Sequence, residues 1–285
     1  WGEYWIIGTT DTDWEKGLSL PDPAPTKADI DYILDQVNQR VRNKITREDI
    51  VGVYSGLRPL LSGKSDSTTN LSRNHAVARV APGLVSVAGG KYTTYRVIGK
   101  DAVDLAAKEL GFKVAESVTE RTPILGADGY HALANQVPAL ARRYNLSEER
   151  IEHLLGRYGS LISEVLAPAA EDASLLEAVP GAESYIWAEV RHAVTHEGAL
   201  HIDDIVSRRL RVAIEFADRG VAAAQPIAEF VAPLLGWDQS DIEREVSHFK
   251  QHTEAELAAE AALTDREAND ILERAGSARA TKEEA

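Results

Sequence analysis

The sequence A-G-G-K-Y-T-T-Y-R at residues 88–96 is the most informative part of this chain. An apolar run at residues 84–88 predicts a strand that leads into the two glycines, and a helical pattern follows the two threonines. Gly89 and Gly90 permit backbone angles that other residues avoid and a close approach to a ligand. A threonine here is placed to cap a helix whose first N–H groups point outward as donors. The stretch therefore predicts an anion-binding turn.

Two upstream segments add positive charge to this prediction. They are Y-S-G-L-R-P-L-L at residues 54–61 and N-L-S-R-N-H at residues 70–75. Arg58, Arg73 and Lys91 together predict a cationic cradle for a phosphate and for negative charge on a cofactor ring. Taken alone, a G-G-K turn is typical of any tight strand-to-helix connection, and an arginine before a proline is typical of a surface position.

The order and separation of several motifs resemble those of one enzyme family. I-I-G-T-T-D-T-D-W at residues 6–14 precedes S-G-L-R-P-L-L, L-S-R and A-G-G-K-Y-T-T-Y-R. This series closely resembles the flavin-dependent glycerol-3-phosphate dehydrogenases. The segment at residues 189–211 and L-L-G-W at residues 234–237 resemble the helical C-terminal domain of the same family. The resemblance covers roughly residues 1–250.

The resemblance implies a reaction and a set of site residues. Hydride passes from C2 of sn-glycerol 3-phosphate to N5 of FAD, dihydroxyacetone phosphate is formed, and a quinone reoxidises the flavin. Arg58 resembles a catalytic arginine that also binds substrate, and Arg73 resembles a second substrate-binding arginine. Lys91 resembles the lysine over the gap between flavin and substrate, where a fixed cation stabilises developing negative charge. The implied cofactor-binding residues are Gly89, Gly90, Lys91, Tyr92, Thr93 and Thr94.

The family's general base and its main cofactor-binding motif have no counterpart in this sequence. The resemblance implies that the base is a histidine from an earlier part of the family's chain, which is absent here. His75 is the nearest candidate in this sequence. No G-x-G-x-x-G motif, which holds the FAD pyrophosphate at a helix N-terminus, occurs in the 285 residues, and the chain has no methionine. We therefore expect a C-terminal portion of a longer enzyme that neither retains FAD nor turns over substrate alone.

Two alternative functions stay open at this point. A glycerol-3-phosphate oxidase shares these motifs and passes its electrons to oxygen. A non-catalytic helical interaction module would use the acidic second half as its working surface. The sequence also leaves open the electron acceptor, the role of the helical half and the oligomeric state, for which a homodimer is one expectation.

Composition and charge exclude several classes of partner. Residues 1–110 hold 14 Lys and Arg against 14 Asp and Glu, whereas residues 111–285 hold 17 against 31. The acidic half repels phosphates, so nucleic acid is not expected as a partner. No apolar run approaches the roughly 20 residues of a membrane-spanning helix. Without cysteine, the sequence fits a cytoplasmic protein that contacts the inner face of the cell membrane, if at all, peripherally.

The predicted fold class is α+β. Short apolar runs predict strands, the last two forming a hairpin, at residues 4–8, 50–55, 76–80 and 84–88. Thr26 with Asp29 marks the start of a first helix, and a second helix ends at Gly111. Only helices are expected later, at about residues 130–144, 147–156, 159–167, 183–196, 202–219, 226–235 and 239–262.

With the family resemblance, these elements predict a domain order. Residues 1–112 would hold part of an antiparallel substrate-binding sheet together with the terminal strand and helix of a FAD fold of the glutathione-reductase or D-amino-acid-oxidase kind. Residues 113–129 would be a linker and residues 130–270 an all-α domain. Residues 271–285 would form a flexible tail.

One motif resembles the end of a phosphate-binding P-loop. Residues 62–65 read S-G-K-S, but Arg58 stands where the motif requires its first glycine, and Pro59 follows it. The P-loop interpretation therefore fails.

A histidine pair raises the possibility of a metal site. His192 and His196 lie four residues apart, near His201, but Ala193 stands where the zinc-protease motif has glutamate. We favour a structural role for the pair and expect no metal site.

Ion pairing with nearby aspartates is likewise favoured over phosphate binding for the basic cluster Arg208, Arg209 and Arg211.

Overall fold

The computed structural model describes residues 2, 4–12, 23–61 and 74–275. These residues form two compact units. The hairpin unit contains residues 9–12, 56–61 and 74–123. The helical unit contains residues 2, 4–8, 23–55 and 124–275. Residues 23–55 thus fold with the later helices, and the expected sequential domains at residues 1–112 and 130–270 stay a prediction.

The hairpin unit is built on two antiparallel strands. Strand β1 (His75–Ala81) pairs with β2 (Leu84–Gly89), and the register sets His75 opposite Gly89. Gly83 makes the connection with a φ of 74°, a value that favours glycine. The predicted hairpin is therefore confirmed.

Helix α2 (Tyr95–Ala107) packs against both strands of the hairpin. Side-chain pairs reinforce this packing, because Asp101 bonds His75 and Glu109 bonds Arg79. The helix ends earlier than the predicted boundary at Gly111, and the turn that follows it carries Glu109.

Two predicted strands are not formed. Residues 4–8 and 50–55 have no ladder partner within the described residues. Residues 50–55 pack against the backbone of Ile214 instead, since a Cβ added at Gly52 would lie 2.4 Å from the carbonyl oxygen of that residue. An apolar run predicts a buried extended segment, but a strand also needs a neighbour for its N–H and C=O groups.

The predicted first helix is confirmed as α1 (Lys27–Asn38). Thr26 and Asp29 form a reciprocal capping box, as their spacing indicates. The Lys27 N–H donates to the carbonyl of Ala262 at 3.0 Å, which ties α1 to the far end of the helical unit.

The helical unit contains nine further α-helices among its described residues. They are α3 (Tyr130–Ala134), α4 (Val137–Tyr144), α5 (Glu148–Tyr158), α6 (Ile162–Leu166), α7 (Trp187–Thr195), α8 (Val212–Glu215), α9 (Val221–Leu235), α10 (Gln239–Ala259) and α11 (Asp265–Ala275). Trp187 and Phe230 stack at 4.6 Å and join its two hydrophobic clusters. Within the described residues, no helix combines the length and apolar character needed to cross a bilayer.

The helical unit is not all-α, which corrects the prediction. Strand β3 (Ala178–Val179) pairs with β4 (Ala182–Ile186), where a helix was expected from residue 183. Gly181, with a φ of 80°, closes the two-residue turn between them. The apolar residues that suggested a helical face therefore belong to a short sheet, in which Tyr185 is fully buried.

The segment predicted as one helix at residues 202–219 is broken. A π-helix (Asp204–Arg209) ends before Arg211, whose φ of 70° interrupts regular helix geometry, and the short α8 follows. Helix α9 begins before the predicted residue 226 because Asp218 accepts bonds from the N–H groups of Gly220 and Ala222.

The chain end also differs from expectation. Helix α11 continues to Ala275 and packs on α10, so the flexible tail expected from residue 271 is wrong for its first five positions. Ala268 and Leu272 are almost fully buried, and this apolar face explains why the segment stays helical.

Candidate functional site

The glycine turn at the end of β2 has the backbone conformation that its sequence predicts. Gly89 and Gly90 have φ values of 72° and 90°. A Cβ at Gly89 would lie 2.7 Å from the carbonyl oxygen of Asn74 and 3.0 Å from Cγ of Leu61. A Cβ at Gly90 would lie 2.7 Å from Cδ1 of Ile98. The atoms that closely approach the two glycines therefore belong to the chain itself, whereas the sequence predicted the close approach of a ligand.

The turn continues into a short 3₁₀ helix (Tyr92–Thr94) that precedes α2. The N–H and the hydroxyl of Thr94 both donate to the carbonyl of Lys91, each at 3.0 Å. Thr94 therefore does not cap α2 through its side chain, which corrects that expectation. The N–H groups of Tyr92 and Thr93 have no acceptor within the 3₁₀ helix, so they are donors at a helix N-terminus.

Arg58 and Lys91 lie in the same unit, and both are exposed. The Leu60 N–H donates to the Arg58 carbonyl at 2.9 Å, which folds this segment into a tight turn. The side chain of Leu61 then packs on Gly89, two residues before Lys91. The S-G-L-R-P-L-L segment therefore runs beside the glycine turn.

An aspartate from the first motif holds Arg58. Asp11 Oδ2 lies 3.2 Å from Nε of Arg58. A carboxylate on Nε fixes the direction of the guanidinium and leaves its terminal nitrogens as a fork for a second anion. Sequence reasoning missed Asp11 because the contact joins two motifs that are far apart in the chain.

His75 is held next to the same turn. Its Nε2 lies 2.7 Å from Oδ2 of Asp101 on α2, and its Cβ would lie 3.1 Å from a Cβ at Gly90. The sequence offered His75 as a base on proximity alone, and Asp101 was not identified. Asp101 lies three residues after Ile98, whose side chain approaches Gly90, and this helical spacing is the signal that was available.

Comparison with known proteins supplies the family. Residues 117–242 match the model of the C-terminal domain of alpha-glycerophosphate oxidase. The chain is 52% identical over 280 residues to glycerol-3-phosphate dehydrogenase 2 of Mycobacterium bovis, with 98% of this chain and 48% of that protein aligned. It is 53% identical over 279 residues to glycerol-3-phosphate dehydrogenase of Mycobacterium leprae, with 98% and 47% aligned.

The chain belongs to the glycerol-3-phosphate dehydrogenase family. A more distant member, the mitochondrial enzyme SDP6 of Arabidopsis thaliana, is 32% identical over 263 residues. The chain spans about half the length of the curated family members it matches.

A solved structure supports the fold. The X-ray structure of the glycerol-3-phosphate dehydrogenase from Bacillus halodurans, complexed with FAD, matches with a TM-score of 0.66 at 21% identity. The match covers 86% of this chain and 48% of that protein. The α+β class predicted for this family member, with a helical C-terminal domain, is therefore confirmed, apart from the small sheet described above.

The structure reaches only part of the site predicted from the family resemblance. It brings the segments of Arg58 and Lys91 together with Gly89 and Gly90. Arg73 and the S-G-K-S sequence at residues 62–65 lie outside the described residues. The roles of the individual residues stay predictions.

The remaining polar motifs of this family member lie in the helical unit. Arg208 pairs with Asp203, so the expected ion pairing is confirmed for this arginine, whereas Arg209 donates to the backbone carbonyl of Glu197 and not to an aspartate. His201 bonds Glu245 at 2.9 Å rather than joining the other histidines. Burial lowers the pKa of His192.

Proposed function

We propose that the protein oxidises sn-glycerol 3-phosphate to dihydroxyacetone phosphate with FAD and passes the electrons to a quinone. Family membership supports the reaction, and one structural relationship supports the site. That relationship is the contact of Leu61 with Gly89, which sets the Arg58 segment beside the turn that carries Lys91. We propose on this basis that both cations and the N–H groups of Tyr92 and Thr93 serve one site on the hairpin unit.

The residues of this turn fit an electron-rich cofactor edge. Lys91 is exposed, Tyr92 is 91% exposed, and the N–H groups of Tyr92 and Thr93 lack partners within their helix. Gly89, Gly90 and Thr94 would shape the same edge, with the helix dipole adding partial positive charge. When bound, FAD would supply the acceptor for the substrate hydride.

The chain's own cations would bind and orient the substrate. The Arg58 guanidinium, fixed through Nε by Asp11, would bind the phosphate or a nearby oxygen with its terminal nitrogens. Lys91 would place a fixed cation where negative charge develops. Arg73 is the proposed second arginine. His75 is bonded through Nε2 to Asp101, which leaves only Nδ1 to take a substrate proton.

The electron acceptor, assembly and location are part of the proposal. We propose a quinone and not oxygen as the acceptor, because the similar proteins are named dehydrogenases and not oxidases. A quinone dissolved in a bilayer requires contact with the membrane surface, so we propose a cytoplasmic protein that binds peripherally to the inner face of the membrane. A homodimer is the proposed assembly.

Anaerobic flavin spectroscopy tests this function. The protein in its natural full length should show flavin absorbance that bleaches on addition of sn-glycerol 3-phosphate and returns on addition of a water-soluble quinone. Glycerol, which lacks the phosphate, is the matched control and should not bleach it. Flavin that stays oxidised with sn-glycerol 3-phosphate would contradict the proposal. Return of absorbance with oxygen and stoichiometric peroxide, but not with quinone, would favour an oxidase.

A further inference from the structure

Three side chains in the helical unit form a cluster of the kind that binds metal ions. Glu164 lies on α6, and His192 and His196 lie at the C-terminal end of α7. One possible ligand atom from each lies within 4.8 Å of the other two. The spacing of four residues puts both imidazoles on one face of the helix.

His196 is oriented for metal binding through one nitrogen. Its Nδ1 lies 2.7 Å from the hydroxyl oxygen of Thr195, and its Nε2 lies 3.7 Å from Oε1 of Glu164. The hydroxyl therefore occupies Nδ1, and Nε2 is directed at the carboxylate. A hydrogen bond to the second ring nitrogen is the usual way in which a ligating histidine is held.

His192 is the buried member of the cluster, and its ring is held by packing. The residue is 5% exposed, and its ring lies edge-on to Tyr158 at 5.4 Å and stacks on His196 at 4.6 Å with 11° between the planes. No hydrogen bond joins its ring nitrogens to another described residue. These nitrogens do not belong to the fully buried, unpartnered side-chain atoms of the described residues, so an ion can reach a nitrogen of this largely buried side chain.

We propose that Glu164, His192 and His196 bind a divalent transition-metal ion, with Zn²⁺ as the best fit. Two imidazoles and one carboxylate are the protein ligands of one class of three-ligand zinc site, in which water takes the fourth position. Imidazole nitrogens also favour zinc over manganese, magnesium and calcium.

The spacing of the cluster allows such an ion. Ligands about 2.0–2.1 Å from a tetrahedral ion are separated by roughly 3.3 Å. The side chains of Glu164 and His196 are 47% and 44% exposed, so both can close by rotation onto the fixed His192. Glu197 lies close enough to His192 to add negative charge, which favours a cation.

A bound ion would join α6 to the end of α7. The site lies wholly in the helical unit and uses none of the residues proposed for substrate or cofactor, so it stands independently of the proposed oxidation. The sequence shows the histidine pair but not the third ligand, because Glu164 reaches it only through the packing of α6 against α7.

Zinc titration of tag-free full chain tests the site. Protein is treated with EDTA, desalted and titrated calorimetrically with Zn²⁺, and Co²⁺ absorbance then reports the coordination geometry. We expect one ion per chain, with binding at least tenfold weaker in Glu164→Gln and in His196→Gln. Both substituted side chains are exposed, so circular dichroism should show unchanged folding. His131→Gln, which removes an exposed histidine outside the cluster, should bind as the wild type does.

Thermal unfolding gives a second readout. Zn²⁺ should raise the Tm of the wild type and of His131→Gln but not of the two ligand variants. Equal zinc affinity in Glu164→Gln, His196→Gln and the wild type would overturn the proposal. So would the absence of saturable binding below about 100 μM Zn²⁺ in the wild type.

Discussion

The side chain of Leu61 packs directly on the backbone of Gly89. A Cβ added at this glycine would lie 3.0 Å from Cγ of Leu61 and 2.7 Å from the carbonyl oxygen of Asn74, and the φ of 72° is one that L-residues rarely adopt. The contact joins the segment that carries Arg58 to the turn that carries Lys91. The geometry of the proposed site therefore depends on the absence of a side chain at position 89.

Substitution Gly89→Ala tests this dependence. The left-handed conformation alone costs about 1–3 kcal/mol for a non-glycine residue, and the clash with Asn74 is with backbone that cannot rotate away. We expect at least a tenfold fall in kcat/KM for sn-glycerol 3-phosphate in the protein in its natural full length. Steady-state kinetics with an artificial electron acceptor measures the effect.

The matched control is Gly99→Ala. Gly99 lies inside α2 with no atom within 4 Å of an added Cβ. This substitution should leave kcat/KM unchanged and stabilise the helix by about 0.5–1 kcal/mol. Wild-type kcat/KM in Gly89→Ala would show that the packing of Leu61 does not organise the site.

A second glycine substitution tests the helical unit. Gly159 has a φ of 58° and ψ of −132°, and a Cβ there would lie 2.1 Å from the carbonyl oxygen of Gly126. That region of backbone angles is essentially restricted to glycine, so Gly159→Ala should destabilise the unit by more than about 3 kcal/mol. Gly156→Ala, three residues earlier in open space on α5, should be neutral or slightly stabilising. Urea unfolding followed by circular dichroism compares the two, and similar midpoints would refute the assignment of close backbone contact.

Local signals in the sequence account for the elements that were predicted well. The capping box of Thr26 and Asp29 fixes the start of α1, and the turn around Gly83 fixes the hairpin. Each of these signals acts over a few residues, so the chain nearby decides the structure.

Elements decided by distant contacts were predicted poorly. The buried Tyr185 fits a helical face or a strand equally well, and only its neighbours in the fold make it part of β4. Helix α11 stays ordered because its apolar face packs on α10. In the same way, Asp11 on Arg58 and Asp101 on His75 are side-chain pairs that sequence spacing does not encode.

A buried ion pair gives a third prediction. The Arg219 guanidinium donates from Nη2 to both carboxylate oxygens of Glu260 at 3.1 and 3.2 Å and from Nη1 to the carbonyl of Val53 at 3.2 Å. Arg219 is 8% exposed, so Glu260→Ala would leave a buried charge without its partner. We expect a loss of about 3–5 kcal/mol in the free energy of unfolding.

The control for this pair is Glu256→Ala, one turn earlier on α10. Glu256 is 48% exposed and faces His252 at 3.5 Å, so its removal should cost less than about 1 kcal/mol. Thermal unfolding of the two variants at neutral pH makes the comparison. An equal, small effect of both substitutions would mean that solvent reaches Arg219 and replaces the carboxylate.

Substitution of the two proposed site cations gives the last prediction. Lys91→Gln removes the fixed charge beside the turn, and Arg58→Lys keeps a charge but loses the planar fork that Asp11 orients. Each should cost about 2–4 kcal/mol of transition-state stabilisation, measured as kcat/KM in the protein in its natural full length. Lys108→Gln removes an exposed charge at the far end of α2 and should have no effect.

If Arg58 binds the substrate phosphate, Arg58→Lys should lose its selectivity for sn-glycerol 3-phosphate over glycerol, whereas Lys91→Gln should keep it. Retention of selectivity by Arg58→Lys together with unchanged kcat/KM would remove Arg58 from the substrate site.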